Sequence, residues 1–293
     1  MAHFYFENVP HGKRRDGTKV NTKSHYDYIK REGKYAHCNG REEDLVYAAD
    51  GNIPIWAMDA GTFWQEAERN RRLNGRAYRE FRFALQEEFT LQENIALVER
   101  LIEETGIKKH HAYSFAIHDK KATFAPEHRN IHCHLMFSEK IIEHDRPLLS
   151  EQYFKQYAEN AQGQAVSGYR TSRQFISKET NAALRKRWAD LCNEQFAAKG
   201  LDCRITEKSL ATQREELLSQ GKIEEAHLLD RQPAPHLGQS YRNERTMERI
   251  YEEIEQVSAA SSSDDEEDDD DAAEKTKEEA KRQQEQSIHE MKI

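Results

Sequence analysis

Apolar residues recur at helical spacing in some stretches and at every second position in others, and the two spacings divide the chain into predicted elements. The clearest helix follows a capping box, Thr90-Leu91-Gln92-Glu93, and carries Ile95, Leu97, Val98, Leu101 and Ile102 until Gly106 stops it. A longer helix is predicted over 62–85, where Trp64, Ala67, Leu73, Ala77, Tyr78, Phe81 and Leu85 keep approximate helical spacing. On such a helix Arg69, Arg72, Arg76 and Arg79 would form one cationic stripe able to follow a phosphate backbone. A short helix is predicted over 24–31, with Asn21 or Thr22 as its N-cap and Gly33 just past its end. Beyond residue 150 the pattern is mostly helical, strongest over 179–199 before Gly200 and more charged over 212–230.

The period-two stretches are fewer. Residues 3–9 predict a strand that Pro10 and Gly12 should break. Residues 112–118 and 131–138 predict two adjacent antiparallel strands joined by a polar segment of 12 residues containing Pro126. In the second of these, Ile131, Cys133, Leu135 and Phe137 share one face and His132 and His134 the other. In the first, Tyr113, Phe115 and Ile117 alternate with Ser114, Ala116 and His118. Two neighbouring strands therefore offer His118, His132 and His134 to one point, with coordination positions left over for water or substrate, as a catalytic metal site requires. Asp119 follows His118 and either hydrogen-bonds a ligand imidazole from behind or simply begins the loop.

Composition adds three things. No run of about 18 apolar residues exists, and the N-terminus lacks the basic and apolar regions of a signal peptide, so a soluble, cytoplasmic protein without membrane insertion is expected. Cys38, Cys133, Cys192 and Cys203 include no CxxC pair and are read as free thiols. The net charge of −9 conceals an asymmetry, because residues 251–293 hold 16 acidic and 5 basic residues and the remainder is near neutral. Residues 11–35 carry eight Lys/Arg against three Asp/Glu, the local excess that a phosphate-binding surface needs. The unbroken acidic run 264–271 follows a serine-rich stretch, and 258–293 is expected to be a disordered tail.

Tyr26 and Tyr28 stand among Lys19, Lys23, Lys30, Arg31 and Lys34, where a phenol could attack a phosphate whose charge nearby cations share. The segment Ser24-His25-Tyr26-Asp27-Tyr28-Ile29-Lys30-Arg31-Glu32-Gly33-Lys34-Tyr35, followed by Ala116-Ile117-His118-Asp119 and Asn130-Ile131-His132-Cys133-His134, resembles the MobA/MobL family of plasmid relaxases, mobilisation nucleases of the HUH class. The resemblance covers roughly residues 1–240, including Arg79-Glu80 and the later His236-Leu237-Gly238. It departs from the family at Gln86 and Ile131, where members often carry proline; neither change removes a catalytic atom.

The resemblance implies an α+β fold, an antiparallel sheet of about five strands with helices packed on it. It implies a catalytic domain over 1–203, a helical extension over 204–257 and the acidic tail beyond. It assigns the metal to His118, His132 and His134 and the nucleophile to the Tyr26/Tyr28 segment, with Tyr28 favoured because it begins the Tyr-Ile-x-Arg-Glu-Gly run. The substrate would be single-stranded or hairpin DNA at a transfer origin, nicked through a 5′-phosphotyrosyl intermediate. Lys13, Arg14, Arg15, Lys19, Lys23, Lys30, Arg31 and the arginine stripe would contact the DNA, and accessory mobilisation and secretion-coupling proteins would be partners. The metal is expected to be Mn²⁺ or Mg²⁺, although three imidazoles also suit Zn²⁺. Two other readings stay open: a three-histidine zinc hydrolase acting on a substrate other than nucleic acid, and a non-catalytic DNA-binding mobilisation or replication factor.

Overall fold

The computed structural model describes residues 2–12, 21–36, 44–71, 75–121 and 127–230. Two compact units divide at Ser209, Met1–Ser209 and Leu210–Ile293. The first is built on five strands, β1 (Phe6–His11), β2 (Leu45–Gly51), β3 (Tyr78–Ala84), β4 (Tyr113–Lys121) and β5 (Arg129–Phe137). They form one antiparallel sheet in the order β1-β3-β5-β4-β2, so the last of these five in the chain lies at the centre.

Helices cover both faces. Against one lie α1 (Thr22–Lys30) and α2 (Ala60–Arg69); against the other lie α3 (Leu91–Glu104) and, after the single turns α4 (Ile107–His110) and α5 (Ser150–Tyr153), the long α6 (Lys178–Ala198). Alternation decides which side chain enters which core. Phe81, Phe83, Phe115, Ile117, Cys133 and Leu135 pack with Val98, Leu101, Trp188 and Leu191 of α3 and α6. Tyr78, Ala116 and Met136 point the other way and pack with Tyr26, Ile29, Phe63 and Trp64 of α1 and α2. The α3 capping box forms as expected, with Thr90 accepting from the Glu93 amide and Glu93 from the Thr90 amide. A small hairpin of β6 (Ala158–Glu159) and β7 (Ala165–Ser167) precedes α6, and the second unit begins with α7 (Leu210–Ser219) and α8 (Ile223–Leu228).

Three sequence expectations need correction. The helix over 62–85 does not exist: α2 ends at Arg69 and β3 occupies Tyr78–Ala84. The strand was hidden because both its faces are buried and its charged residues are paired inside, Arg79 with Glu139 at 2.8 Å and Glu80 with three histidines. The arginine stripe therefore dissolves, with Arg69 at the end of α2, Arg76 bound to Glu139, Arg79 only 3 % exposed, and Arg72 outside the described residues. Pro10 does not break β1, which continues to His11; as an edge strand it tolerates a residue without a backbone donor. Residue Gly33 does not close α1, because Arg31 itself takes the left-handed conformation there, with φ 54 and ψ 42.

The strand pair carrying the histidines forms as expected but is longer, pairing from Tyr113↔Phe137 to Lys121↔Arg129. Cys133, Cys192 and Cys203 are free thiols, and Cys38 lies outside the described residues. The acidic tail and the basic residues Lys13, Arg14, Arg15 and Lys19 also lie outside them. No helix among the described residues is long and apolar enough to cross a membrane.

Candidate metal centre

Cross-strand register puts His118 directly opposite His132, and the period of two brings His134 to the same face one step along. The three imidazoles form a nearly equilateral triangle, with ring centroids 5.2 Å apart for His118 and His134 and 5.3 Å for the other two pairs. One nitrogen from each ring lies within 4.8 Å of the others. Each ring spends its second nitrogen on the protein. His134 Nδ1 donates to Glu80 Oε1 at 2.8 Å, His132 Nδ1 to the Asn130 carbonyl at 3.0 Å, and His118 Nε2 to the Ile29 carbonyl at 2.7 Å. These bonds fix the tautomers and leave one lone pair per ring. Burial holds His118 down at about 4 and His132 at about 3, so both are neutral near pH 6.5, and burial lowers His134 as well. Three converging imidazoles with oriented partners fit a divalent metal ion.

Glu80 is the carboxylate behind the site. It is 1 % exposed and meets His134, His25 and His11 at 2.8, 2.9 and 2.9 Å. Burial alone would raise its carboxyl, but the three imidazole bonds outweigh that and hold it well below the usual carboxylate range. Asp119, expected in this role, instead turns to Arg129 and forms a two-pronged ion pair at the strand edge. The difference follows from the pleat, since Asp119 is adjacent in sequence to His118 and so points to the opposite face. Glu80, His25, His11 and Asp44 were not identified from sequence. Reading 78–84 as a strand would have found Glu80, because alternation separates it from Phe81 and Phe83 and puts it on the histidine face.

The two tyrosines separate cleanly. Tyr26 is 4 % exposed within the core beneath α1 and α2. Burial, with nearby carboxylates led by Asp50, pushes its phenol above the ordinary range. Tyr28 is 40 % exposed, and its ring lies edge-on to His134 at 6.4 Å and to His118 at 6.5 Å. Tyr35 meets the Tyr28 ring edge-on at 5.5 Å and shares a 3.0 Å hydroxyl contact with Ser24. Of the expected cations, Lys23 pairs with Asp27, Lys30 with Asp50 at 2.9 Å, and Arg69 with Glu66 at 2.6 Å while 67 % exposed. Arg31 is turned inward, 10 % exposed and bound to Asp44.

An antiparallel sheet presenting a His-x-His pair and a third histidine beneath a helix-borne tyrosine has the features of an HUH-type site. The chain belongs to the MobA/MobL family, whose model matches residues 18–228. It is 36 % identical over 207 residues to the 43 kDa relaxation protein of Salmonella typhimurium, covering 68 % of this chain and 53 % of that one. It is 31 % identical over 228 residues to Mobilization protein A of Escherichia coli, covering 78 % of this chain and 28 % of that one. The chain thus spans about half of the first relative and little more than a quarter of the second. A chain solved under the description "Molecular Basis of Vancomycin Resistance Transfer in Staphylococcus aureus" aligns at TM-score 0.44 and 18 % identity, covering 71 % of this chain and 100 % of that one.

Proposed function

We propose that this chain is a relaxase, a site- and strand-specific DNA nickase and strand transferase acting at a transfer origin in plasmid mobilisation. The observation that carries the reading is the approach of the accessible Tyr28 ring to two corners of the histidine triangle, while Tyr26 is sealed in the core. His118, His132 and His134 would hold a divalent ion, for which we favour Mn²⁺ or Mg²⁺ with Zn²⁺ as the alternative; when bound it would withdraw charge from the phosphate oxygens and orient the phosphorus.

The steps belong to the chain's own residues. The Tyr28 hydroxyl attacks the scissile phosphate of a single strand, a bond forms between its oxygen and phosphorus, and the bond from phosphorus to the 3′ oxygen breaks. The phenolic proton passes through water to that oxygen, which leaves as a free 3′-OH. The product is a 5′-phosphotyrosyl link that stores the phosphodiester bond energy for rejoining. Glu80 keeps His134 in the tautomer that presents Nε2 to the site. A soluble protein working in the bacterial cytoplasm on single-stranded or hairpin DNA, with mobilisation and secretion-coupling proteins beside it, completes the proposal. Residues 1–203 form the catalytic domain in this reading, with a helical extension over 204–257.

The test uses 3′-labelled single-stranded oligonucleotides selected from a random pool for binding to the full chain. With Mn²⁺ present, a labelled band should migrate with the protein on a denaturing gel and should vanish with chelator. No covalent band from any selected oligonucleotide, together with hydrolysis of a non-nucleic-acid ester, would favour the three-histidine hydrolase. DNA binding that ignores chelator and yields no adduct would favour a non-catalytic DNA-binding factor.

A further inference from the structure

Arginine seldom ends a helix in the left-handed region, which suits glycine, yet Arg31 does so at φ 54 and ψ 42. A backbone held there against its preference indicates that the surroundings over-determine the residue. Those surroundings are specific. Nε and Nη2 of Arg31 donate to the two carboxylate oxygens of Asp44, both at 2.7 Å, and Nη1 donates to the carbonyl of Tyr28. The guanidinium carbon lies 4.5 Å from the centroid of the Tyr28 ring. Nη2 also comes within 3.5 Å of His118 Nδ1. A guanidinium with three donors committed inside the protein and a 10 % exposed side chain is poorly placed to serve as a free DNA contact.

Asp44 is fixed from its own side. Its backbone carbonyl accepts from the Asp119 amide at 2.7 Å, next to His118. The register of β2 against β4 slips between Leu45 and Tyr47, an irregularity of the kind that re-aims side chains beside functional sites. Burial would raise the Asp44 carboxyl, and the Arg31 bonds more than reverse that, leaving it below its usual value.

We propose that Arg31 and Asp44 form a positioning device: Asp44 fixes the guanidinium, and the guanidinium clamps ring and carbonyl of Tyr28 over the histidine triangle. The inference rests on Tyr28 being the nucleophile. Lysine cannot replace this arginine, because it offers neither the two-pronged bond nor a planar face for the ring. Glycine can replace its backbone but not its clamp.

The experiment follows Arg31→Gly, Arg31→Lys and Asp44→Asn in the full chain by two readouts. One is the Tyr28 ring signal in protein carrying ¹³C-labelled tyrosine, assigned by its loss in Tyr28→Phe. The other is single-turnover cleavage at saturating oligonucleotide and Mn²⁺. In each variant the ring signal should move and sharpen towards that of a free tyrosine, and the cleavage rate should fall by about tenfold to a hundredfold. Oligonucleotide affinity should stay within about threefold, because the loss is of placement and not of binding. Combining Arg31→Lys with Asp44→Asn should cost no more than either change alone, as expected for one coupled unit. An unmoved ring signal and wild-type cleavage in Arg31→Gly would overturn the inference. So would a loss of affinity as large as the loss of rate, which would make Arg31 a DNA contact. If Tyr28→Phe still forms the covalent adduct, the nucleophile assignment fails, while the ring signal separately decides whether Arg31 and Asp44 hold Tyr28.

Discussion

Tyr26 and Tyr28 are two residues apart on α1 and therefore about 200° apart around its axis. One position serves the core and the other the site. Tyr28→Phe should abolish the covalent DNA adduct and leave oligonucleotide affinity within about threefold, since the hydroxyl acts in the transition state and adds little to ground-state binding. Tyr26→Phe should retain the adduct. The reverse outcome in the same gel assay would move the nucleophile to Tyr26. A separate residue-scale prediction concerns acid. His111 is 3 % exposed, donates from Nδ1 to the Lys140 carbonyl at 3.0 Å, and is held by burial at about 4 against an ordinary 6.5. A folded-state value below the unfolded one means that the unfolded chain takes up the proton first. The stability is fully present above pH 6.5 and is lost as pH falls towards 4. Melting temperature should decline through that window, and His111→Gln should flatten part of the decline; an unchanged slope would remove His111 as a cause.

At the level of elements, the sequence announced those whose two faces differ in polarity. The α3 helix carried its capping box and apolar stripe in plain view, and β5 alternated cleanly because only one of its faces is all apolar. The strand β3 did not, because Arg79 and Glu80 sit in it as partners of buried groups and Arg82 pairs with half-buried Glu7, a fact invisible until the partners are known. Edge strand β2 was missed for another reason: Leu45-Val46-Tyr47-Ala48-Ala49-Asp50-Gly51 is short of bulky alternation, and its Gly51 leaves room for the Tyr113 ring. The histidine triangle was legible because three histidines on two predicted strands converge whatever surrounds them. Glu80 and Asp44 were not, since nothing in a lone carboxylate distinguishes a buried partner from a solvated charge. Two stability measurements test this account. Arg79→Ala should cost about 3 kcal/mol in urea unfolding, because it strips buried Glu139 of one of its two arginines. It should leave the salt dependence of DNA binding unchanged, whereas a shallower dependence would restore Arg79 as a phosphate contact. Thr90→Ala should cost about 1 kcal/mol by removing the α3 cap.

For the whole molecule, charge is segregated along the chain, with eight consecutive carboxylates at 264–271 and a basic excess over 11–35. All the side chains placed at the site lie between His11 and His134, inside the first unit. Deleting 258–293 should therefore leave cleavage of a short oligonucleotide intact. At low salt it should leave DNA affinity equal or tighter, because the acidic run competes with DNA for the same cations. Loss of cleavage in a truncated chain that keeps its circular dichroism would bring the tail into the active site.

The strand order β1-β3-β5-β4-β2 also sets a sequence of events in time. When the chain is made from its N-terminus, β1 can pair with β3 and β2 with β4 before β5 has emerged, giving two separate ribbons. Only β5 joins them, pairing with β3 on one side and β4 on the other. It also carries His132 and His134. The strand that unites the ribbons is thus the one that delivers two of the three imidazoles. A partly assembled chain can already have its tyrosine helix while His132 and His134 are still missing, so the histidine triangle is complete only when the sheet closes.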